Sequence, residues 1–294
     1  MLESGFASGQ LMEVIRRVQS LKEICRQAES RGRRIGLVPT MGSLHDGHIS
    51  LIRRIQELSD LVVVSIFVNP TQFGPGEDYA AYPRSLTEDV DICIAEKVDY
   101  VFSPSVQELY PSNSETFVEF ANLSTDLEGA SRPGHFRGVA TVVLKLFQIV
   151  QPGIAAFGRK DAQQALIIRR MVQDLMLDVE VLVLPTVREE DGLALSSRNR
   201  MLSTEQRRAA LAIPRALETA ARMVKEGQRN AGKVAAAARE VLEAEELVTI
   251  DYVELVDEKN LKPVSQVQGE MLLLVAASVG KTRLIDNVAL RARG

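Results

Sequence analysis

Seven residues restrict the fold of this chain more than any others: Leu61-Val-Val-Val-Ser-Ile-Phe67. The run is β-branched and almost continuously apolar, the pattern of a parallel strand covered by helices on both faces. Parallel neighbours need long crossovers, usually helical, and the flanking sequence supplies them. Ile35 to Val38 reads as a strand, and Ile49, Ile52, Ile55 and Leu58 then recur at helical spacing. Ser85-Leu-Thr-Glu88 has the form of a capping box opening a further helix, and a third strand follows at Asp99 to Phe102. Strand, helix, strand, helix, strand is one half of a doubly wound sheet.

The rest of the chain extends this plan. An amphipathic helix is expected over residues 11–30, with Leu11, Val14, Val18, Leu21, Cys25 and Ala28 on one stripe. Pro111 marks a turn and Thr116 to Phe120 an edge strand. A helix over 139–150 is apolar nearly all round and therefore central, and strands follow at 154–157 and 179–184. From Ser203, which forms a second capping box with Gln206, the texture changes. Alanine-rich, charge-mottled helices run over 204–226 and 230–245, then strand-like segments over 248–256 and 271–279. The expected architecture is α/β: a Rossmann-like doubly wound parallel sheet over residues 1–187, with a smaller C-terminal α+β domain over 188–294. Gly280-Lys281-Thr282 imitates the end of a P-loop, but its first glycine would fall at Val275, so no Walker site is expected.

Composition narrows the partners. With 35 basic and 39 acidic side chains the chain is slightly acidic, whereas nucleic-acid binding calls for clustered Lys and Arg in excess. No apolar run is long enough to span a membrane, and the first residues lack a basic-then-apolar leader. Cys25 and Cys93 each fall on the apolar stripe of a helix, as buried free thiols in a reducing cytoplasm would.

The chemistry concentrates between the first strand and its helix, in Pro39-Thr-Met-Gly-Ser-Leu-His-Asp-Gly-His48. His45 and His48, three apart, share one face of a helical first turn. A helix N-terminus offers unpaired N–H groups and partial positive charge to a phosphate, and Gly42 and Gly47 let a ligand approach the backbone. Two plainer readings compete: an ordinary strand–glycine–helix turn, or a metal site. Against the metal, there is no His-Glu-x-x-His pattern and no nearby cysteine pair. His135 is the one further histidine of the three.

Pro39-Thr40-Met41-Gly42 through His45-Asp46-Gly47-His48 resembles the signature of the pantothenate synthetase (pantoate–β-alanine ligase) family. That family's His-x-Gly-His is its form of the "HIGH" motif of class I aminoacyl-tRNA synthetase-like nucleotidyltransferases. Further segments fit in order: Val68-Asn-Pro-Thr-Gln-Phe73 with Tyr82-Pro83-Arg84, Glu128 through Gly138, Gly158 through Gln164, Leu195 through Asn199 (where the superfamily has its "KMSKS" loop), and Arg283 through Asn287. The likeness runs from residue 35 to 287.

The resemblance implies ATP-dependent joining of (R)-pantoate to β-alanine through a pantoyl-adenylate, giving pantothenate, AMP and pyrophosphate. It implies Mg²⁺ with the ATP, no organic cofactor, a cytoplasmic homodimer, and no nucleic-acid or membrane partner. It places Met41, Gly42, Ser43, Leu44, His45, Asp46, Gly47, His48, Gly158, Arg159, Lys160, Asp161, Val187, Leu195, Ser196, Ser197 and Arg198 against ATP. Of these, His45, His48, Lys160 and Arg198 would be catalytic, with His48 the proton donor. Gln72, Gln164, Asn69, Tyr82, Arg132 and His135 would hold pantoate and β-alanine, and Glu88 and Asp89 would help hold Mg²⁺. Arg159 stands where the family usually has an acidic residue, which reverses a charge beside Lys160. Two competing readings are a nucleotidyltransferase that stops at an adenylylated or cytidylylated product, and a nucleotide-binding module without turnover. The Asn69–Phe73 loop together with Gln164 speaks against the first, and the intact His45, His48, Lys160 and Arg198 set against the second.

Overall fold

The structure is a computed structural model and describes residues 12–77 and 79–292. In chain order it begins with strand β1 (Glu13–Ile15), helix α1 (Val18–Ser30), β2 (Ile35–Thr40), α2 (Asp46–Gln56), β3 (Leu61–Ile66), α3 (Leu86–Ala95) and β4 (Tyr100–Phe102). Two one-turn helices, α4 (Val106–Leu109) and α5 (Glu128–Ser131), precede the long α6 (His135–Val150), then β5 (Ile154–Gly158), α7 (Ala162–Asp174) and β6 (Glu180–Leu184). The C-terminal part holds α8 (Thr204–Ala210), α9 (Ala212–Lys225), α10 (Ala231–Glu243), β7 (Val248–Asp257), β8 (Glu270–Val279) and β9 (Thr282–Arg291).

The first six strands form one sheet in the order β1-β4-β3-β2-β5-β6, and every pairing in it is parallel. The chain moves outward from β2 through β3 to β4, then returns to the other side of β2 with β5 and continues to β6. β2 and β5 therefore flank the switch point of a doubly wound sheet, where the loops at their carboxyl ends diverge and leave a crevice. As expected, β3 is buried on both faces. Val62, Val64 and Ile66 pack with Ile52 and Ile55 of α2 and Cys93 of α3. Leu61, Val63 and Phe67 pack on the opposite side with α1, α6 and α7. α6 is the central helix, with residues buried around nearly its whole circumference.

Beyond residue 202, α8, α9 and α10 cover one face of the antiparallel sheet β7-β8-β9. Val256, Leu272 and Leu274 on its other face pack against Leu127, Ala162 and Leu166 of the first part. β8 is thus buried on both sides.

Four expectations are corrected. The N-terminal helix starts at Val18, not residue 11: Glu13–Ile15 is an edge strand beside β4, with Val14 and Ile15 facing opposite cores as β-branched neighbours in a strand do. Leu11 lies outside the described residues. Thr116 to Phe120 is no strand of this sheet; it lies extended, with Val118 N–H donating to Thr141 Oγ1 at 2.9 Å. Ser85 makes no capping bond at α3. The helix expected over 204–226 is broken at Leu211, with Pro214 tolerated in the first turn of α9, where its missing N–H costs nothing. β9 was not foreseen: Gly280 and Lys281 form the two-residue turn of the β8–β9 hairpin, so the P-loop imitation is a turn.

Gly36 sets how closely the helix carrying the histidines lies on the sheet. A Cβ there would overlap Ile55 Cγ2 and Ser59 Oγ at the far end of α2. Gly36→Ala is expected to cost about 1–3 kcal/mol through this overpacking. Urea denaturation measures it, and an unchanged midpoint would show that α2 can move away from β2 freely.

Candidate active site

The crevice at the switch point is a cleft of about 260 Å³. Residues after β2 contribute Met41, His45, Gly47 and His48; residues at the end of β5 contribute Gly158, Lys160 and Asp161; the segment after β6 contributes Val187, Leu195, Ser196, Ser197 and Arg198. Gln72, Tyr82, Arg132, His135 and Gln164 line it as well, beside Val139, Val142, Val143 and Leu146 of α6. Among the described residues the cleft so gathers three cationic side chains, Arg132, Lys160 and Arg198, and one carboxylate, Asp161.

The loop from β2 to α2 is built on backbone bonds. Gly42 N–H donates to Thr40 Oγ1 at 3.1 Å, and Gly42 itself takes φ +79°, a conformation costly for other residues. Ser43 and Leu44 N–H donate to the two oxygens of Asp89, at 2.9 and 2.7 Å, and that carboxylate is only 2% exposed. Asp89 therefore fastens the loop. Neither it nor the exposed Glu88 lines the cleft. Gly42, Ser43, Leu44 and Asp46 likewise shape the loop without lining the cleft.

The two histidines cap their own helix. Gly47 N–H donates to His45 Nδ1 at 3.1 Å, and His45 N–H donates to His48 Nδ1 at 3.3 Å. Each Nδ1 is thus an acceptor, which assigns the ring proton to Nε2. Burial, reinforced by Lys160, lowers His45 to about 4. Burial, reinforced by His45 and Lys160, lowers His48 to about 3. At neutral pH both rings are uncharged Nε2–H donors, 4.1 Å apart between centroids.

Opposite them, Lys160 sits in the short turn Arg159–Asp161 that opens α7. Burial lowers its ammonium pKa, offset by Asp161 and Asp286. Arg159 points away from the cleft toward Glu258, 3.6 Å distant, so its charge reversal is met outside the site. Ser196 caps the turn Ser197–Met201 by accepting Arg198 N–H at 3.3 Å, and it also lines the cleft.

Gln72 lies on the turn Pro70–Gln72. Its Nε2 donates to Met41 Sδ at 2.9 Å, and its Oε1 accepts from Asn69 Nδ2 at 3.1 Å. A thioether is a weak acceptor, so that amide can turn to a better one. Asn69, 1% exposed, does not line the cleft; it also donates to the Gly138 carbonyl and accepts from Thr71, and so positions Gln72. His135 Nδ1 donates to the Gln72 carbonyl at 2.8 Å, and its Nε2 accepts from Arg132 Nη1 at 3.2 Å. Burial and then Arg132 lower His135 to about 4. Arg132 is paired with Glu77 at 2.5 Å.

Several groups were not foreseen. Pro39, Thr40, Phe157 and Thr186 line the cleft. They are the last residues of strands or the residues just after them, where a doubly wound sheet opens its crevice. Gln163 clamps the loop before α5, accepting Glu128 N–H and donating to the Leu123 and Asp126 carbonyls. Among the described residues, no group of three or more His, Cys, Asp and Glu is placed to hold a metal.

A parallel sheet with a switch point, a His-x-Gly-His turn at the first helix N-terminus and a basic turn across from it define a Rossmann-like protein of the HIGH-type class. The family profile described as pantoate-beta-alanine ligase matches residues 13–289. The chain is 52% identical over 279 residues to the pantothenate synthetase of Pelotomaculum thermopropionicum, covering 95% of this chain and 99% of that one. The pantothenate synthetase structure from Thermus thermophilus superposes with a TM-score of 0.90 at 44% identity, over 94% of this chain and 99% of that one. The pantoate-beta-alanine ligase of Francisella tularensis, solved with Beta-gamma ATP and beta-alanine, gives 0.79 at 35% identity, over 94% and 97%. The chain belongs to the pantoate–β-alanine ligase family.

The three imidazoles, His135 buried and His45 and His48 half-buried, fix a pH dependence. Their folded pKa values lie below the ordinary value near 6.5. The unfolded chain therefore takes up protons first as pH falls, and stability is lost progressively from about 6.5 toward the folded values. The histidine nitrogen resonances are expected to report Nε2–H for His45 and His48, Nδ1–H for His135, and no titration down to about pH 5. A titration near the ordinary value would contradict this burial.

Proposed function

We propose that the chain condenses (R)-pantoate with β-alanine at the expense of ATP, through a pantoyl-adenylate. The observation that carries the reading is the meeting, in one cleft, of His45, His48, Lys160 and Arg198 with Gln72, Gln164 and the aliphatic face of α6. The first set suits a polyphosphate. The second suits a small hydroxy acid with two methyl groups: amides bond hydroxyls without charge, and Val139, Val142 and Val143 offer apolar contact.

In the first step a pantoate carboxylate oxygen attacks the α-phosphorus, and the bond to the β-phosphate oxygen breaks, releasing pyrophosphate with the electron pair. In the second, the β-alanine amine attacks the acyl carbon, AMP leaves, and the nitrogen proton passes to solvent. No covalent bond to the protein is required, so its task is orientation and stabilisation of developing phosphate charge. His45 and His48 act here as neutral Nε2–H donors; for His48 this replaces the proton-donor role with a hydrogen bond. Lys160 supplies a point charge and Arg198 a planar fork. Mg²⁺ would come with the ATP and neutralise phosphate charge; among the described residues Asp161 is the one carboxylate lining the cleft that would help hold it, directly or through water.

Residues 188–294 act as a lid unit on residues 1–187, bringing Ser196 to Arg198 over the phosphates. The enzyme works in the cytoplasm, a setting that suits its two free, buried thiols. It works as a homodimer, for which the unpaired extended segment 115–120, with Phe117 39% exposed, is a suitable surface on the N-terminal part. No helix among the described residues is long and apolar enough to cross a membrane.

The purified protein is expected to form pantothenate, AMP and pyrophosphate in equal amounts, and to need all three substrates. ATP hydrolysis indifferent to the acid would sink the reading. His48→Ala should keep its fold and lose roughly 10²–10³ in kcat, the cost of one preorganised donor. Gln72→Ala should raise the KM for pantoate far more than that for ATP; equal losses would make Gln72 structural.

A further inference from the structure

Asn287 lies on β9 of the C-terminal sheet, does not line the cleft, and is 4% exposed. Its Nδ2 donates to two successive carbonyls, Arg159 at 2.9 Å and Lys160 at 3.0 Å. Its Oδ1 is buried with no partner. Turning the amide over would set Oδ1 against two carbonyl oxygens, so the pair of bonds fixes which end is nitrogen. A buried acceptor without a partner carries an uncompensated desolvation cost, which leucine, of nearly the same shape, would avoid. What asparagine supplies and leucine cannot is a grip on both carbonyls of the turn that carries Lys160.

The grip is itself anchored. Asp286, buried, accepts Asn287 N–H at 2.8 Å and both terminal nitrogens of Arg188, at 2.6 and 3.0 Å. Arg188 Nη2 also donates to the Asn287 carbonyl at 3.4 Å. Arg188 follows Val187, which lines the cleft. One short piece of β9 thus ties together the turn after β5 and the segment after β6. Asp161 and Asp286 favour the charged Lys160 ammonium, and the backbone turn that Asn287 holds sets where that side chain begins.

We infer that Asn287 is a positioning residue for Lys160, holding the backbone of the Arg159–Asp161 turn so that the lysine ammonium meets the nucleotide phosphates. The inference rests on the reading of Lys160 as an ATP-binding group. Its test is a double-mutant cycle on MgATP binding, by titration calorimetry of the full-length wild type, Asn287→Leu, Lys160→Ala and the double variant. Asn287→Leu is expected to weaken MgATP about tenfold with little change in Tm, and to add nothing once Lys160 is gone. If the double variant loses the product of the two factors, Asn287 acts elsewhere and the inference falls. If Lys160→Ala binds MgATP like the wild type, the reading of Lys160 fails first and takes the inference with it.

Asn287→Ala gives the same comparison if the leucine variant does not fold. A second readout separates positioning from stability. After ¹³C reductive methylation, the Lys160 resonance, identified by its absence from the Lys160→Ala protein, should shift in Asn287→Leu. A resonance unmoved in a variant with weakened stability would assign Asn287 a structural role only.

Discussion

The parallel pairing of β2 with β5 is the contact on which the rest of the molecule depends. Gly36 and Leu37 lie beside Ile154 and Ala155, and from this seam the chain winds outward in both directions. Because the two connections leave oppositely, no helix closes the end of the seam, and the loops after β2 and β5 face one another across a cleft. Which residues stand first in those loops decides what lines the cleft: His45 and His48 on one side, Lys160 on the other.

At the histidines the geometry supplies preorganised hydrogen-bond donors. Both histidines spend Nδ1 on backbone N–H groups and so present Nε2–H outward. Their neutrality is a consequence of burial first and of neighbouring positive charge second. Buried polar side chains outside the cleft hold its walls: Asp89 under the first loop, Asn69 behind Gln72, Gln163 behind the segment before α5. Each is hydrogen-bonded, Asp89 and Gln163 to backbone and Asn69 to backbone and side chains, the condition under which a buried polar group rigidifies what surrounds it.

The central strands of the N-terminal sheet are legible because they are buried on both faces, and α1 and α2 because each buries one stripe. The run Leu61 to Phe67 and the stripe Ile52–Ile55 can be read in one way only. Edge elements were not. Glu13–Ile15 is three residues long and merges with the stripe of α1, and β9 interleaves apolar with charged residues that are engaged with the other part of the chain. The cleft residues were legible where chemistry and order coincide, as in His45, His48, Lys160 and Gln72. Asn69 and Asp89 stand behind the cleft wall, bonded to neighbouring groups, a placement that sequence alone does not distinguish from one on the cleft surface. Thr40 and Thr186 carried no signal of their own, being marked only by strand ends.

The C-terminal sheet completes the account. Arg283 donates to both oxygens of Glu128, at 2.7 Å each, and to Asp251, while Tyr252 donates to Glu128 at 2.8 Å. These bonds join the sheet to the segment that carries Arg132 and His135, as Asn287 joins it to the turn of Lys160. If the assembled cleft activates pantoate as an adenylate before any amine arrives, pyrophosphate exchange into ATP needs no β-alanine. Isotope exchange between labelled pyrophosphate and MgATP, with pantoate present and β-alanine absent, tests it most directly. Exchange that depends on pantoate is expected; exchange that appears only when β-alanine is added, or none at all with ATP bound, would rule out this order of events.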